Sequence, residues 1–188
     1  MDSVAGVVDT RLRLVEVAVE LFTRHGYAGT SLQMIADELG FTKAAIYYHF
    51  RTREQLLTAV VEPLLAQLQR TVEEAETRRG ASGRADHMVR GYAELAVRNR
   101  ALVSVLASDP SVNEALRSRP DWDSVINRQL ALLADIDPGP AGMVKAAMVF
   151  SGIAGGAGAA GDGISDEELY THLVDAARRT LGLRASRR

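Results

Sequence analysis

Residues 30–50, TSLQMIADELGFTKAAIYYHF, constrain the fold of this chain more than any other segment. Apolar residues recur at helical spacing in the first half, so a short helix can bury one face there; they are Leu32, Ile35, Ala36 and Leu39. Gly40 follows, and glycine enters a left-handed helix terminus without strain. Thr42 can then cap a second helix over residues 43–50. Two short helices joined by a tight turn are the layout of a helix-turn-helix.

Three pairs of residues have the spacing of a capping box. In this motif the hydroxyl of the N-cap residue accepts a hydrogen bond from a backbone amide, and the side chain three positions later accepts one from the amide of the N-cap residue. The pairs are Thr30 with Gln33, Thr52 with Gln55, and Ser165 with Glu168. They predict helices that begin near residues 30, 52 and 165.

The remaining sequence predicts helices almost throughout. Apolar residues at helical spacing cover about 9–25, 52–61, 85–107, 111–118, 121–135, 141–160 and 166–182. Pro63 is expected to kink or split the helix that begins at Thr52. The segments RRGASGR (78–84) and DIDPGPAG (135–142) are expected to be loops. Because no alternating apolar pattern of a strand occurs, the predicted fold class is all-α.

Composition limits the classes of protein. The 188 residues are 47% hydrophobic and 24% charged, as is usual for a soluble globular protein. The absence of cysteine excludes a disulfide framework and a thiolate site. His25 and His172 have no partner histidine at ligand spacing, so no metal or other cofactor is expected. The N-terminus does not resemble a signal peptide, which favours a cytoplasmic location.

Charge is concentrated where nucleic acid could bind. The net charge is −2, and residues 1–56 contain six basic and seven acidic residues. Between Phe41 and Arg53, however, the charged groups are Lys43, Arg51 and Arg53, with His49 beside them. Phosphate contacts need local cations rather than a basic chain, so this patch is sufficient, although modest non-specific affinity is expected.

Residues 142–161, GMVKAAMVFSGIAGGAGAAG, allow several interpretations. Gly156, Gly158 and Gly161 fit G-x-G-x-x-G, but a dinucleotide site requires a preceding strand. Lys145 interrupts an apolar run that barely reaches the ~20 residues of a membrane span, so no membrane contact is expected. A flexible linker conflicts with the apolar face that precedes the glycines. Small residues repeated every four positions instead allow two helix backbones to approach closely.

Residues 13–57 resemble the N-terminal domain of the TetR family of bacterial transcriptional regulators. The resemblance rests on VAVELFTRHGY, the T-S pair, IADELG, KAAIYYHF and REQLL at fixed offsets. It implies a three-helix DNA-binding domain over 9–53 and a helical ligand-binding and dimerisation domain over 54–183. Residues 1–8 are expected to be a flexible N-terminus and 184–188 a flexible basic tail.

The resemblance also implies which residues contact DNA. Some would touch phosphate and others base edges, and Arg53 lies where many relatives have lysine. The DNA-binding set is Thr30, Thr42, Lys43, Ala44, Tyr47, Tyr48, His49 and Arg53. An alternative is that Tyr47 is mainly structural and that Phe50 belongs to the core.

For the helical domain the resemblance implies a homodimer and a small-molecule effector. The last two helices would pair with their copies, through Phe150, Gly152, Ile153, Gly156, Ala160, Leu169 and Leu173. The effector would be neutral or largely apolar, and the predicted lining is Met88, Tyr92, Val105, Trp122, Ile126 and Met148. Its binding would favour a spacing of the two DNA-binding domains of the dimer, here called the reading heads, that no longer fits a palindromic operator.

Two other functions remain open at this point. The helix-turn-helix could serve as a protein-interaction module without an effector, in which case no salt-dependent DNA binding is expected. An enzyme could use the glycine-rich segment 156–161, but the sequence has no recognisable arrangement of acid, base or nucleophile. The expectation is therefore a DNA-binding regulator that acts as a repressor, and not an enzyme.

Overall fold

The protein folds into α-helices in the part that the computed structural model describes, residues 2–116, 119–161 and 163–183. Ten helices and no strand occur in this part of the chain, which confirms the all-α prediction. Their bounds are α1 Asp2–His25, α2 Leu32–Glu38, α3 Lys43–His49, α4 Arg53–Glu76, α5 Gly80–Arg98, α6 Arg100–Ser108, α7 Pro110–Leu116, α8 Pro120–Ala134, α9 Pro140–Ala159 and α10 Asp166–Leu181.

The described chain divides into two compact units. The first contains residues 2–63 and 109–116, and the second contains 64–108, 119–161 and 163–183. The first unit is therefore larger than the segment 9–53, because it also includes the beginning of α4 and all of α7.

The first unit is organised by one apolar core. The predicted stripe of α2 is buried at Leu32, Ile35 and Ala36. Side chains from the other helices of the unit complete this core; they are Leu14, Ala18, Leu21, Phe22, Ile46, Phe50, Leu56, Leu57, Val60, Val112 and Leu116. Burial of these apolar side chains is the main force that holds the short helices α2 and α3 in place.

The ends of α2 are set by specific caps. Gly40, at φ 67°, ends the helix in the left-handed region, and the amide of Phe41 donates to the Ala36 carbonyl at 2.8 Å. At the other end Ser31 is the cap, since its hydroxyl accepts from the Met34 amide at 3.2 Å. The predicted capping box of Thr30 and Gln33 is therefore wrong. Gln33 donates to Asp37 instead.

The other two capping predictions fare better. Ser165 and Glu168 form a complete capping box at the start of α10, as predicted. Thr52 accepts from the Gln55 amide at 3.2 Å, but the Gln55 side chain accepts from the amide of Arg51, one residue before the expected position.

Several predicted boundaries are corrected. Residues 80–84 begin α5 rather than forming a loop, and the predicted helix 85–107 is interrupted at Asn99, the C-cap of α5. Pro63 lies inside α4, which continues to Glu76. Residues 2–8, expected to be flexible, belong to α1. The predicted tail, 184–188, lies outside the described residues.

The second unit is built around α9, which packs against α6, α8 and α10. Small residues make two of these contacts close. A β-carbon at Gly158 would lie 2.5 Å from the Ser104 side chain of α6, and one at Gly156 would lie 2.8 Å from Leu173 of α10. Arg178 of α10 forms an ion pair with Asp86 of α5. The glycine spacing read from the sequence therefore serves packing within the chain at these two positions.

The structure bears on two alternative interpretations of α9, a membrane span and a dinucleotide site. By length and composition α9 could cross a membrane, but 33% of its most apolar window is buried within the protein, and a core helix passes the same test. One such helix does not indicate a membrane protein. The G-x-G-x-x-G pattern closes this helix instead of following a strand, so the structural context of a dinucleotide site is missing there.

We expect Gly158→Ala to destabilise the second unit, because the new methyl group would overlap Ser104 and the α6 backbone would have to shift. A loss of about 1–3 kcal/mol in the free energy of unfolding is typical of overpacking. Urea unfolding followed by circular dichroism measures it.

Gly155→Ala is the matched control, since a β-carbon there meets nothing within 4 Å. Its higher helix propensity is expected to leave the stability unchanged or raise it by up to ~1 kcal/mol. Equal effects of the two substitutions would contradict the packing role of Gly158.

Candidate nucleic-acid interface

The helix α3 is short and is held at both ends. Thr42 is its N-cap, as predicted, with its hydroxyl accepting from the Ala45 amide at 3.2 Å. Ile46 is fully buried, and Phe50, the C-cap, is 1% exposed. One face of α3 is therefore fixed in the core, and Phe50 is a core residue.

The opposite face of α3 is open to solvent. Thr42, Lys43 and Ala44 are exposed at its start. Tyr47 is 43% exposed and Tyr48 is 76% exposed, so both phenol groups are accessible to a partner. The Lys43 ammonium lies 5.7 Å from the centre of the Tyr47 ring. The face thus combines a cation, two phenol groups and a hydroxyl.

His49 is less accessible than its neighbours. It is half-buried, and its ring meets the Tyr48 ring edge to face, with the centroids 5.2 Å apart. This contact fixes the orientation of the two rings relative to each other.

Two arginines of α1, which the sequence interpretation did not select, flank α3. Arg13 lies over the Phe41 ring at 5.6 Å, just before α3, and Arg11 lies over the Phe50 ring at 4.6 Å, at its end. Both arginines are exposed. Because they are 28 residues or more from α3 in sequence, the local motif carried no signal for them.

The loop between α1 and α2 is held by Arg53. The Nη1 atom of Arg53 donates toward the carbonyl oxygens of Tyr27, Ala28 and Thr30 at 3.1, 2.9 and 3.2 Å. Its guanidinium carbon lies 4.5 Å from the centre of the Tyr27 ring. Arg53 therefore satisfies three carbonyl groups of a loop that has no secondary structure to pair them.

Asp109, at the start of α7, holds the same loop through its amides. One carboxylate oxygen accepts from the Tyr27 amide at 2.8 Å, and the other accepts from the Ser111 amide at 3.0 Å. Hydrogen bonds from Ser111, first from its hydroxyl, and from the Tyr27 and Ala28 amides hold the pKa of Asp109 below its ordinary value, against the opposing effect of burial.

This geometry gives two of the predicted DNA contacts, Thr30 and Arg53, a structural role, while their contact with DNA stays a prediction. Thr30 is 1% exposed, and its hydroxyl lies 2.8 Å from the Gly26 carbonyl oxygen and 3.2 Å from that of Leu21. Its side chain therefore fastens the end of α1. Arg53 has one of its terminal nitrogens committed to the loop, so it first positions the helix-turn-helix.

The residues predicted to line an effector site differ in their exposure to solvent. Met88, Tyr92 and Val105 are buried in the second unit, whereas Trp122 and Ile126 are half-buried. Met148 is 61% exposed and faces solvent, which contradicts its predicted role as lining. An open groove of about 490 Å³ in the second unit has a different lining, which includes Glu76, Arg128, Leu132 and Met143.

The predicted dimer residues are also divided. Ile153 and Leu169 are buried, and Phe150 stacks on Tyr92 with the ring centres 5.2 Å apart. Gly156 faces Leu173, so all five residues have contacts within the chain. The burial of Ile153 and Leu169 argues against their predicted role, whereas Phe150, Gly156 and Leu173 are half-buried and their role in a dimer stays a prediction. Ala160 is half-buried at the C-cap of α9, whereas Gly152 is exposed with nothing near its β-carbon position.

The helix-turn-helix is similar in sequence to known proteins. Residues 14–60 match the family described as "Bacterial regulatory proteins, tetR family". Among curated relatives, the "Probable acrEF/envCD operon repressor" of Escherichia coli (strain K12) is 42% identical over 52 residues, 28% of this chain and 24% of the relative. The matches to the curated relatives span 17–40% of the length of those proteins.

Solved structures match nearly the whole chain. The TetR-family member SCO3833 of Streptomyces coelicolor is 25% identical, with a TM-score of 0.70 over 92% of this chain and 91% of that protein. The ketosteroid transcriptional regulator KstR2 of Mycobacterium tuberculosis has a TM-score of 0.73 at 16% identity, over 92% and 93% of the two chains. At that identity the likeness to KstR2 shows the fold alone.

We expect Arg53→Ala to destabilise the first unit by about 1–3 kcal/mol, because carbonyl groups of the loop lose their charged donor. Arg53→Lys should recover only part of this loss, since an ammonium lacks the planar fork that stacks on Tyr27. Urea unfolding of both variants measures the effect. The exposed neighbour Arg51→Ala is the control, and an equal loss there would contradict the assignment.

Asp109 predicts a dependence of stability on pH. A carboxyl group whose pKa is lowered on folding contributes stability above its ordinary pKa of 3.8, and this contribution is lost as the pH falls below that value. We therefore expect Asp109→Asn to unfold more easily than the wild type at pH 7, by about 1 kcal/mol, with the difference shrinking below pH 3.8.

Exchange of the Tyr27 amide proton, followed by nuclear magnetic resonance, reports this contact locally. It should be faster in Asp109→Asn at pH 7 than in the wild type. Asp175→Asn on the exposed face of α10 is the control. Unchanged exchange in Asp109→Asn would contradict the role of the carboxylate.

Proposed function

Residues 14–60 belong to the tetR family of bacterial regulatory proteins, and we propose on this basis that the whole protein is a transcriptional repressor that binds DNA through α3. The observation that carries the proposal is the exposed face of α3, with Lys43, Tyr47 and Tyr48 standing out from a buried anchor at Ile46. A helix presented in this way fits the major groove, which is wide enough to admit one.

The groups on this face suit the two kinds of contact that a DNA reader needs. The Lys43 ammonium and the Thr42 hydroxyl can bind phosphate, which sets affinity and register. The Tyr48 phenol can reach base edges or a thymine methyl group, which sets specificity. Arg11 and Arg13 add positive charge beside α3 and offset the acidic residues of the unit.

A homodimer is proposed because one short helix reads only a few base pairs. Exposed residues of α9 supply an uncharged surface for the second copy; they include Val144, Ala147, Met148, Ser151, Gly152, Gly155 and Ala159. Val144 and Met148 are 59% and 61% exposed, which is more apolar surface than one soluble helix ordinarily presents. Two reading heads related by a two-fold axis would then bind a palindrome.

An effector that binds the second unit would regulate the dimer. The dimer would exist in two states that differ in the spacing of the reading heads. A ligand shifts the equilibrium between these states only if it binds one of them better than the other. We propose that the effector favours the state that releases the operator, in the cytoplasm, without catalysis. A largely apolar ligand fits the buried side chains of Met88, Tyr92 and Val105.

We expect Lys43→Ala to weaken binding to an operator selected by the wild-type protein from random DNA. Loss of one phosphate contact should reduce the slope of log affinity against log salt concentration by about one, and the loss should be similar for all sequences. Tyr48→Ala should instead reduce the preference for the selected sequence, by about 1–3 kcal/mol for the base pair it contacts.

Arg24→Ala is the control for these variants, because Arg24 is an exposed arginine of α1 that pairs with Glu20 at 3.4 Å. It should leave both the salt slope and the preference unchanged. If Lys43→Ala left the slope of log affinity against log salt concentration at the wild-type value, α3 would not be the DNA-binding helix. A protein-interaction module would then be the better interpretation.

We expect Met148→Glu to weaken the dimer, because a charge would be buried against the partner copy. Sedimentation at several protein concentrations measures the dissociation constant of the dimer, which should be at least ten-fold higher for the variant. Asn127→Glu, an exposed position of α8, is the control. Identical dimer dissociation constants for Met148→Glu and the wild type would rule out this face.

A further inference from the structure

One polar side chain lies on the buried face of α8. Val125, Gln129, Leu132 and Leu133 follow one another at helical spacing along this face and are all buried. Gln129 is 0% exposed, and neither its amide nitrogen nor its amide oxygen has a hydrogen-bond partner. An apolar residue at this position would complete the stripe without loss.

This side chain is an exception within the molecule. Among the described residues, Thr30 and Gln129 are the buried polar ones, and the Thr30 hydroxyl is satisfied by carbonyl groups. Nearly all buried polar groups in folded proteins have a partner, because an unpaired donor or acceptor forfeits its hydration. Gln129 leaves both a donor and an acceptor in this condition, side by side.

The surroundings of α8 are apolar, with one further polar group. The helix packs against α5 and α9. The buried residues of α5 include Met88, Val89 and Tyr92, and burial raises the pKa of Tyr92 well above its ordinary value. The Tyr92 hydroxyl therefore keeps its proton and remains a donor at any physiological pH.

We propose that Gln129 is the polar anchor of the effector site, and that the effector is a neutral, largely apolar molecule with a hydrogen-bond acceptor and donor side by side. A primary amide or a lactam has this edge, and it pairs with the edge of a glutamine amide through two hydrogen bonds. The inference rests on the proposed function, since it specifies the ligand class and the contact of the effector site.

Charge and polarity select among ligand classes. Tyr92 is buried but neutral, and no charged residue is buried in the described part of the second unit, so an ionised ligand would have no buried counter-charge there. A pure hydrocarbon would leave both Gln129 atoms unpaired. A simple ketone would satisfy the nitrogen alone. A site of this kind discriminates strongly against analogues that lack a matching group.

Three probes of similar size test the proposal: 4-butylbenzamide, which has both groups, 4-butylacetophenone, which has an acceptor only, and 4-butylbenzoic acid, which is ionised at pH 7. Binding to the full chain is measured by isothermal titration calorimetry. We expect the amide to bind the wild type about ten-fold more tightly than the ketone, and the benzoate to bind least. Gln129→Met should remove the preference for the amide, because the amide loses two hydrogen bonds to Gln129 and the ketone loses only one.

Asn127→Met is the matched control, because it removes an exposed amide from the same helix. It should keep the wild-type preference. Gln129→Met should also raise the melting temperature by about 2–4 °C, since the unpaired amide is removed, whereas Asn127→Met should not.

The proposal is overturned if the three probes bind the wild type equally, if none binds at millimolar concentration, or if Gln129→Met keeps the preference. A higher melting temperature with an unchanged preference would mean that Gln129 is only a destabilising core residue. Binding of the selected operator is measured on the same wild-type and Gln129→Met samples. Intact, salt-dependent DNA binding beside a failed amide preference would refute the effector class alone, whereas loss of DNA binding by the wild type would refute the proposed function.

Discussion

The arrangement of the helix-turn-helix depends on how the loop between α1 and α2 satisfies its backbone. Residues 26–31 lie outside any helix, and turn hydrogen bonds, such as the one from the Thr30 amide to the Tyr27 carbonyl, pair some of their backbone groups. Arg53 supplies donors to the carbonyls, and Asp109 supplies an acceptor to the amides. Because these two residues come from α4 and α7, one short loop joins three parts of the first unit. The position of α2, and through it that of α3, follows from this loop.

Small residues determine the packing of α9 in two different ways. Gly156 and Gly158 allow α10 and α6 to approach within the chain, because a methyl group at either position would overlap a neighbour. Gly152 and Gly155 have nothing near them and lie on the exposed, uncharged side. The same residue type therefore supports the fold on one side of the helix and leaves a smooth surface for a second copy on the other.

Local patterns in the sequence were sufficient for the elements but not for long-range contacts. The stripe of α2, the Thr42 cap, the turn at Gly40 and the capping box at Ser165 depend on residues within four positions of one another, and each was predicted. Thr30 and Arg53 were assigned to phosphate because their partners, carbonyls up to 26 residues away, are invisible to a motif. Ile153 and Leu169 were assigned to the dimer for the same reason. Gln129 had a detectable signal, a polar residue within an apolar stripe at i, i+4 and i+7, which the sequence interpretation overlooked.

We propose that the exposed face of α3 binds DNA in pairs, with one helix from each protomer. Selection of bound fragments from random double-stranded DNA by the purified full chain distinguishes the outcomes. We expect enrichment of a palindrome whose half-sites lie about one helical turn apart or more, and loss of that enrichment when α3 carries both Lys43→Ala and Tyr48→Ala. Failure of the wild-type chain to enrich any palindrome, or an equal enrichment by the double variant, would contradict it.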